Sequence, residues 1–146
     1  MEMTPHISIA GERESETVLA LIAQLLDELG AEGATFSRVD QQRLRTDLKT
    51  RLADGRFLAL LAHDSFGYDL GILTLSHAFA IYAGGEYGTI DELYVREAHR
   101  RKGVGRALFE AALAVARVRE WHHLDVTTPQ AADQGTVASF YHHLGF

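Results

Sequence analysis

Three strand-like runs of apolar residues follow one another in the middle of this chain. They cover Phe57 to His63, Leu70 to Ile81 and Thr89 to Val95, and they are rich in the Ile, Leu, Thr and Phe side chains that favour strands. Asp64 to Tyr68 predicts a hairpin loop between the first two runs, and Gly84-Gly85 breaks the chain before the third. These runs give the chain a sheet, so an all-helical fold is excluded.

Helical patterns surround these strands. Apolar spacing predicts amphipathic helices at 14–29, 37–53, 103–119 and 136–144. Ser37 is expected to cap the second helix, with Asp40 at the capping-box position. The third is expected to turn five residues inward: Val104, Leu108, Ala111, Val115 and Val118. With short strands at 6–10 and 124–127 the order is β-α-α-β-β-β-α-β-α, a mixed α/β (α+β) sheet in a single domain spanning 1–146.

Composition removes several classes of function. The chain of 146 residues has no cysteine, which excludes disulfides, a Cys nucleophile and thiolate metal sites. Its longest apolar run, Phe57 to Ala62, is too short to span a bilayer, and residues 1–10 lack a secretory pattern. A net charge of −6 argues against a nucleic-acid partner. We therefore expect a cytoplasmic protein with no membrane partner.

A basic segment with two glycines follows the third strand. Five of the fourteen Lys and Arg residues lie within 96–106, where the net charge is +4, while the other 135 residues carry −10. Free amides at a helix N-terminus suit a phosphate, and Gly103 and Gly105 let a backbone approach an anion without an intervening Cβ. A solvated basic helix start is the alternative interpretation of the same cluster.

The two commonest glycine-rich phosphate loops do not fit this segment. No Lys-Ser or Lys-Thr pair follows the last glycine, so it is not a Walker loop. Leu108 stands where the dinucleotide fingerprint has its third glycine, and the loop comes after four predicted strands, which disfavours a Rossmann half. A phosphate loop for some other nucleotide stays open on this evidence.

Three pieces of the sequence, in this order, resemble the GNAT superfamily of acyl-CoA-dependent N-acetyltransferases. Arg100-x-x-Gly103-x-Gly105 matches the family's pyrophosphate loop. Asp91 to Val95 is similar to its fourth strand, and Phe140 to Phe146 to its Phe-Tyr-x-x-Leu-Gly-Phe signature. The resemblance runs from about His6 to the end and implies the GNAT fold with acetyl-CoA as cosubstrate.

Two features depart from the family pattern. Gln134 stands where family members usually have an Asn about seven residues before the Tyr. The chain stops at Phe146, whereas the family normally continues into two further strands. We therefore expect a domain that lacks these C-terminal strands, and an unpaired strand edge makes a homodimer a candidate assembly.

The resemblance also implies a cofactor site. The loop amides would wrap the pyrophosphate of CoA, with charge added by Arg100 or Arg101, and the backbone of Leu93 and Val95 would pair with the pantetheine like an added strand. The side chains of those two strand residues are equally expected to be core. The full set is Leu93, Tyr94, Val95, Arg100, Arg101, Lys102, Gly103, Val104, Gly105, Arg106 and Gln134.

Three residues are candidates for the chemistry. By resemblance Tyr141 would be the general acid that protonates the leaving thiolate, the alternative being a Tyr packed on the core. Asp91 and Glu92 are neighbours, so on a regular strand they face opposite sides and only one meets the cleft as base or cation anchor. Related enzymes favour Asp91 for that role.

The sequence leaves two functions in competition. The first is transfer of an acetyl group from acetyl-CoA to the primary amine of a small cationic molecule or a peptide N-terminus, by direct attack in a ternary complex. The alternative is a non-catalytic module that binds acyl-CoA. No metal is expected, because the paired histidines His122-His123 and His142-His143 lack the i, i+4 spacing of a helical zinc site.

Overall fold

A five-stranded mixed sheet is the frame of the part of the chain that the computed structural model describes, residues 4–30 and 40–126. Its strands lie in chain order, the first four antiparallel and the fifth parallel to the fourth. They are β1 (His6–Ile9), β2 (Phe57–His63), β3 (Asp69–Ala80), β4 (Gly85–Val95) and β5 (Leu124–Val126). The mixed α/β class predicted from the sequence is confirmed.

Helices cover both faces of this sheet. They are α1 (Ser15–Leu29), α2 (Gln41–Asp54) and α3 (Val104–Val118). On one face Leu73, Leu75 and Ile90 pack against α3 in one apolar cluster. On the other face Ile72 and Tyr94 pack against α1 and α2 in a second cluster. Odd and even positions of β3 thus serve opposite layers, as strand alternation requires.

Several of the predicted boundaries are wrong. β4 begins at Gly85 rather than Thr89, and Ile81, predicted to end the preceding strand, lies in the turn. Helix α2 begins at Gln41 because the Asp40 side chain itself accepts hydrogen bonds from the amides of residues 42 and 43, at 3.0 and 3.1 Å. The predicted cap, Ser37, lies outside the described residues, as does the helix predicted at 136–144.

Val104 and Leu108 are buried, and Ala111 and Val115 pack against the same cluster, so four of the five residues predicted to face inward do so in α3. Its buried residues are Val104, Leu108, Phe109, Ala112 and Ala116. Val118, predicted to face inward, is 84% exposed. It lies two residues beyond Ala116, so about 200° of helical rotation turns it to solvent.

Within the described residues, no helix is long and apolar enough to cross a membrane.

Candidate active site

A β-bulge interrupts the pairing of β3 with β4 at the centre of the sheet. Thr74 lies opposite Glu92, but the next residue of β3, Leu75, lies opposite Ile90. Asp91 is therefore the extra residue of β4, without a partner on β3. A bulge bends its strand and changes the direction of the side chains beside it.

The bulge places both carboxylates on one face of the sheet. The Ser76 hydroxyl donates a hydrogen bond to Asp91, and the Thr74 hydroxyl donates one to Glu92. The Thr74 oxygen also accepts the Glu92 amide at 3.0 Å. Because Thr74 and Ser76 are two residues apart on β3, they share a face, the one covered by α1 and α2. The expectation that Asp91 and Glu92 face opposite sides was wrong, since it assumed a regular strand.

Both carboxyl groups hold their protons more tightly than usual. Burial raises the pKa of Glu92; the hydrogen bond from Thr74 lowers it, and the charge of Asp91 raises it further. Burial also raises the pKa of Asp91, against an opposing hydrogen bond from Ser76. A carboxylate whose pKa lies above the ordinary value is a better proton acceptor near neutral pH. The pair can attract a cation and take a proton from it.

The outer edge of β4 is open beside this pair. β5 pairs with β4 only at Gly88, Thr89 and Ile90, so over the described residues 91–95 have no strand partner on that side. Trp121 fills the space at Gly88, where an added Cβ would lie 2.2 Å from its ring. The open edge offers backbone groups to an extended ligand. The side chains of Leu93 and Val95 meanwhile pack against the core, so both of their predicted roles are compatible with the fold.

The basic glycine segment forms a tight turn that leads directly into α3. Arg101 has φ 64° and Gly103 has φ 87°, both in the left-handed region. Such backbone is costly for a residue other than glycine and is typical of functional loops. Gly103 has no side chain to cap the helix, so the amides of its first turn lack an acceptor within α3. Arg101, Lys102 and Arg106 are exposed around them.

Arg100 differs from the other loop cations because the protein itself uses its charge. Its Nη2 lies 2.7 and 2.8 Å from the two carboxylate oxygens of Glu28, and its Nε donates to the Val95 carbonyl at 2.7 Å. The guanidinium also lies over the Tyr94 ring, whose hydroxyl reaches Gln24 at 3.3 Å. Of the two arginines predicted to add charge to the loop, only Arg101 is free of such contacts among the described residues.

An open depression lies on the Ser76 side of the carboxylate pair, and no motif in the sequence indicates it. Ser76 lines it and connects it to Asp91. Two arginines from the end of α2 and the start of β2, Arg51 and Arg56, lie in its wall. The remaining lining residues are Phe57, His77, Ala78, Phe79 and Glu86. Their positions in the chain have no shared motif, which is why pattern analysis missed them.

Two of the predicted site residues, Tyr141 and Gln134, lie outside the described residues. In the described ranges, no group of three or more His, Asp or Glu side chains is arranged to hold a metal ion. His123 instead lies 3.3 Å from Asp125 and stacks on Tyr87 at 4.7 Å between ring centroids. The described part of the site thus consists of the carboxylate pair, the open edge, the loop and the depression.

A mixed sheet with a bulged fourth strand, followed by a basic glycine loop and a helix, is the arrangement expected of the GNAT fold. The sequence profile of the acetyltransferase (GNAT) domain matches residues 56–146, and this chain belongs to that family. The resemblance inferred from the loop and its flanks is confirmed.

Relatives with known sequences and structures agree. Over 109 residues the chain is 38% identical to the mycothiol acetyltransferase of Clavibacter sepedonicus, covering 70% of this chain and 34% of that protein. The chain therefore spans about a third of that relative's length.

Solved structures share the fold at lower identity. A GCN5-related N-acetyltransferase from Ralstonia eutropha JMP134 superposes with a TM-score of 0.82 at 22% identity, covering 98% of this chain and 92% of the other. An aminoglycoside acetyltransferase from an uncultured soil metagenomic sample gives 0.79 at 22% identity, covering 98% and 91%. At this identity the superpositions establish the fold alone.

Proposed function

We propose that this chain transfers an acetyl group from acetyl-CoA to the primary amine of a small cationic molecule or a peptide N-terminus, with both substrates bound together. The observation that carries the proposal is the bulge, which sets Asp91 and Glu92 side by side next to the open edge of β4. Acetyl-CoA supplies the activated acetyl group as a thioester. Residues of the chain are assigned the binding of both substrates and the two proton transfers.

The loop and the open edge fit a CoA molecule. Three features of the loop suit a pyrophosphate. They are the first-turn amides of α3, the left-handed backbone at Arg101 and Gly103, and the exposed cations Arg101, Lys102 and Arg106. The edge at 91–95, which has no strand partner on its outer side among the described residues, suits the amides of a pantetheine arm. We therefore expect CoA to bind by its pyrophosphate, and Gly105→Glu to block it. Calorimetry with CoA and with ATP separates this ligand from another nucleotide; equal binding of ATP contradicts the assignment.

The carboxylate pair addresses the main obstacle to amine transfer. A primary amine has a pKa near 10, so about one molecule in a thousand is neutral at pH 7, a cost of about 4 kcal/mol. Asp91 lies at the bulge and contacts Ser76 at the depression, so we assign it the role of attracting the ammonium group and accepting its proton. Glu92 is the more deeply buried partner and adds negative charge behind it. We assign the proton given to the leaving thiolate to Tyr141.

The test is release of free thiol from acetyl-CoA across polyamines, aminoglycosides, amino acids and peptide N-termini. We expect a ternary-complex pattern of initial rates, because the chain has no cysteine to carry an acetyl group. Asp91→Asn should lower kcat/KM about 10²- to 10⁴-fold, while Glu110→Gln, a change at an exposed carboxylate of α3, should leave it unchanged. CoA binding without turnover on any amine would favour the non-catalytic module instead.

A further inference from the structure

We infer that the acceptor carries an anionic group as well as its amine, and that Arg51 and Arg56 bind this group. The inference rests on the proposed function, because it places the amine of the same molecule at Asp91. It concerns the depression that adjoins the carboxylate pair and is lined by both arginines. It narrows the acceptor proposed above from small cations in general to amines that also carry a carboxylate or phosphate at the far end of the molecule.

The backbone that carries the two arginines is tightly fixed. Gly55, between α2 and β2, has φ 78°, and its amide donates to the Arg51 carbonyl at 3.0 Å. Its carbonyl accepts a hydrogen bond from Arg119 Nη1 at 2.8 Å. The Arg56 carbonyl accepts the His77 amide at 3.0 Å. The backbone that carries both exposed arginines is therefore ordered before an anion binds, which lowers the backbone part of the ordering cost.

The charges of the depression favour an anion. Within the described ranges, neither Arg51 nor Arg56 forms an ion pair, whereas Arg45 and Arg100 each have a carboxylate partner. The single carboxylate in the lining, Glu86, lies 3.4 Å from His77 Nε2. Two cations without partners in a protein of net charge −6 are therefore concentrated at one place. Planar guanidinium groups match carboxylate and phosphate oxygens.

Phe57 and Ser76 link this cation pair to Asp91. Phe57 follows Arg56 directly and lies opposite Ser76 in the pairing of β2 with β3. Ser76 lines the depression and donates to Asp91. A molecule lying along Phe57 and Ser76 would thus have positive protein charge at one end and negative charge at the other. That arrangement selects a molecule with the opposite charges, an ammonium group and an anion.

Matched substrates test this selection. Lysine, lysinamide and cadaverine differ in the anionic group, as do O-phosphoethanolamine and ethanolamine, so the two series separate a carboxylate from a phosphate. We expect the preferred amine that carries an anionic group to exceed its counterpart without that group about tenfold in kcat/KM. Arg51→Gln and Arg56→Gln should each remove that preference by raising KM, while kcat and the rates of the counterparts that lack the anionic group stay unchanged. Arg51→Lys should restore part of it.

Controls keep this result distinct from the fate of the proposed function. Arg43→Gln and Lys49→Gln remove exposed cations of α2 that do not line the depression, and they should leave the preference intact. Calorimetry of the same amines with the CoA-bound protein reads the anion site even without turnover. Equal rates for amines with and without the anionic group would overturn the inference while acetylation stands. Equal effects of Arg51→Gln and Lys49→Gln would do the same. If the parent protein turns over none of these amines but still binds those with an anionic group more tightly, the proposed function is overturned instead.

Discussion

Arg100 and Glu28 connect the basic glycine loop to helix α1, with one guanidinium nitrogen 2.7 and 2.8 Å from the two carboxylate oxygens. A second nitrogen of Arg100 donates to the carbonyl of Val95, the last residue of β4, at 2.7 Å. One side chain therefore joins the loop, the end of β4 and helix α1. This contact fixes where β4 ends and the loop begins.

Loss of the Arg100 side-chain contacts should reduce the free energy of unfolding more than it reduces the free energy of CoA binding. Arg100→Gln removes charged hydrogen bonds that are partly screened by solvent, so we expect the free energy of unfolding to fall by about 1 kcal/mol. Arg101→Gln is the matched control, since Arg101 is exposed and makes no such contact among the described residues. It should leave stability unchanged and weaken CoA several-fold. Urea unfolding and calorimetry measure the two effects, and the reverse pattern would contradict both assignments.

Gly103 is required for its backbone conformation rather than for space. Its φ is 87°, and nothing lies within 4 Å of an added Cβ in the described structure. Gly103→Ala should therefore lower the free energy of unfolding by about 1–2 kcal/mol, the cost of left-handed backbone for an ordinary residue. Gly103→Asn should cost less, because Asn tolerates that region better. Thermal unfolding of the two variants checks the order, and equal losses would point to steric crowding.

The sequence predicted the layers of this fold well and the active site only in part. Strands such as Phe57–His63 were predicted to the residue, because a buried strand reads as a continuous apolar run. The glycine turn before α3 was predicted because the residues that form it are neighbours in the chain. The facing of Asp91 and Glu92 was missed because a bulge depends on the partner strand, here Thr74 and Ser76, and leaves no local pattern.

Long-range contacts account for the remaining differences. The depression brings together Arg51, Arg56 and Glu86 from three elements, and no spacing in the chain links them. Likewise, Arg100 looked like a ligand cation because its partner, Glu28, lies 72 residues earlier in the chain. Arg100 and Glu28 meet only because α1 packs on the sheet.

Tyr141 should act on turnover rather than on binding. Tyr141→Phe removes one proton donor and keeps the ring, so we expect kcat to fall about 10²- to 10⁴-fold with little change in CoA affinity. Tyr68→Phe is the matched control: Tyr68 is 70% exposed just before β3, and the loss of its hydroxyl should leave kcat unchanged. Stopped assays with acetyl-CoA give kcat, and calorimetry gives the affinity. Unchanged turnover in Tyr141→Phe would make this Tyr a core residue.

Asp91 and Glu92 should differ in the pH dependence of the reaction. The charge of Asp91 raises the pKa of Glu92, so Asp91→Asn should lower that pKa. If Asp91 accepts the proton, this variant loses activity at every pH. Survival of activity, with the acid side of the kcat/KM profile moved to lower pH, would instead make Glu92 the base. In the parent, that acid side should lie above the ordinary carboxyl pKa because burial raises the pKa of both groups.

Glu92 should also make the folded protein less stable at neutral pH than at acid pH. A carboxyl whose pKa is higher folded than unfolded binds its proton more tightly in the folded state. Its contribution to stability is therefore favourable at low pH, declines as pH rises from the unfolded pKa through the folded one, and is lost above the latter. Glu92→Gln keeps an oxygen for the Thr74 hydroxyl and carries no charge.

We therefore expect the stability of Glu92→Gln relative to the parent to increase between about pH 4 and pH 8, while its activity falls. Urea unfolding of both proteins at half-unit pH steps measures this difference directly. Glu110→Gln, at an exposed position of α3, should show no such trend. A difference between Glu92→Gln and the parent that is independent of pH would mean that Glu92 titrates alike in the folded and unfolded chain. Its burial behind the bulge would then have no electrostatic cost, and its assigned role beside Asp91 would be wrong.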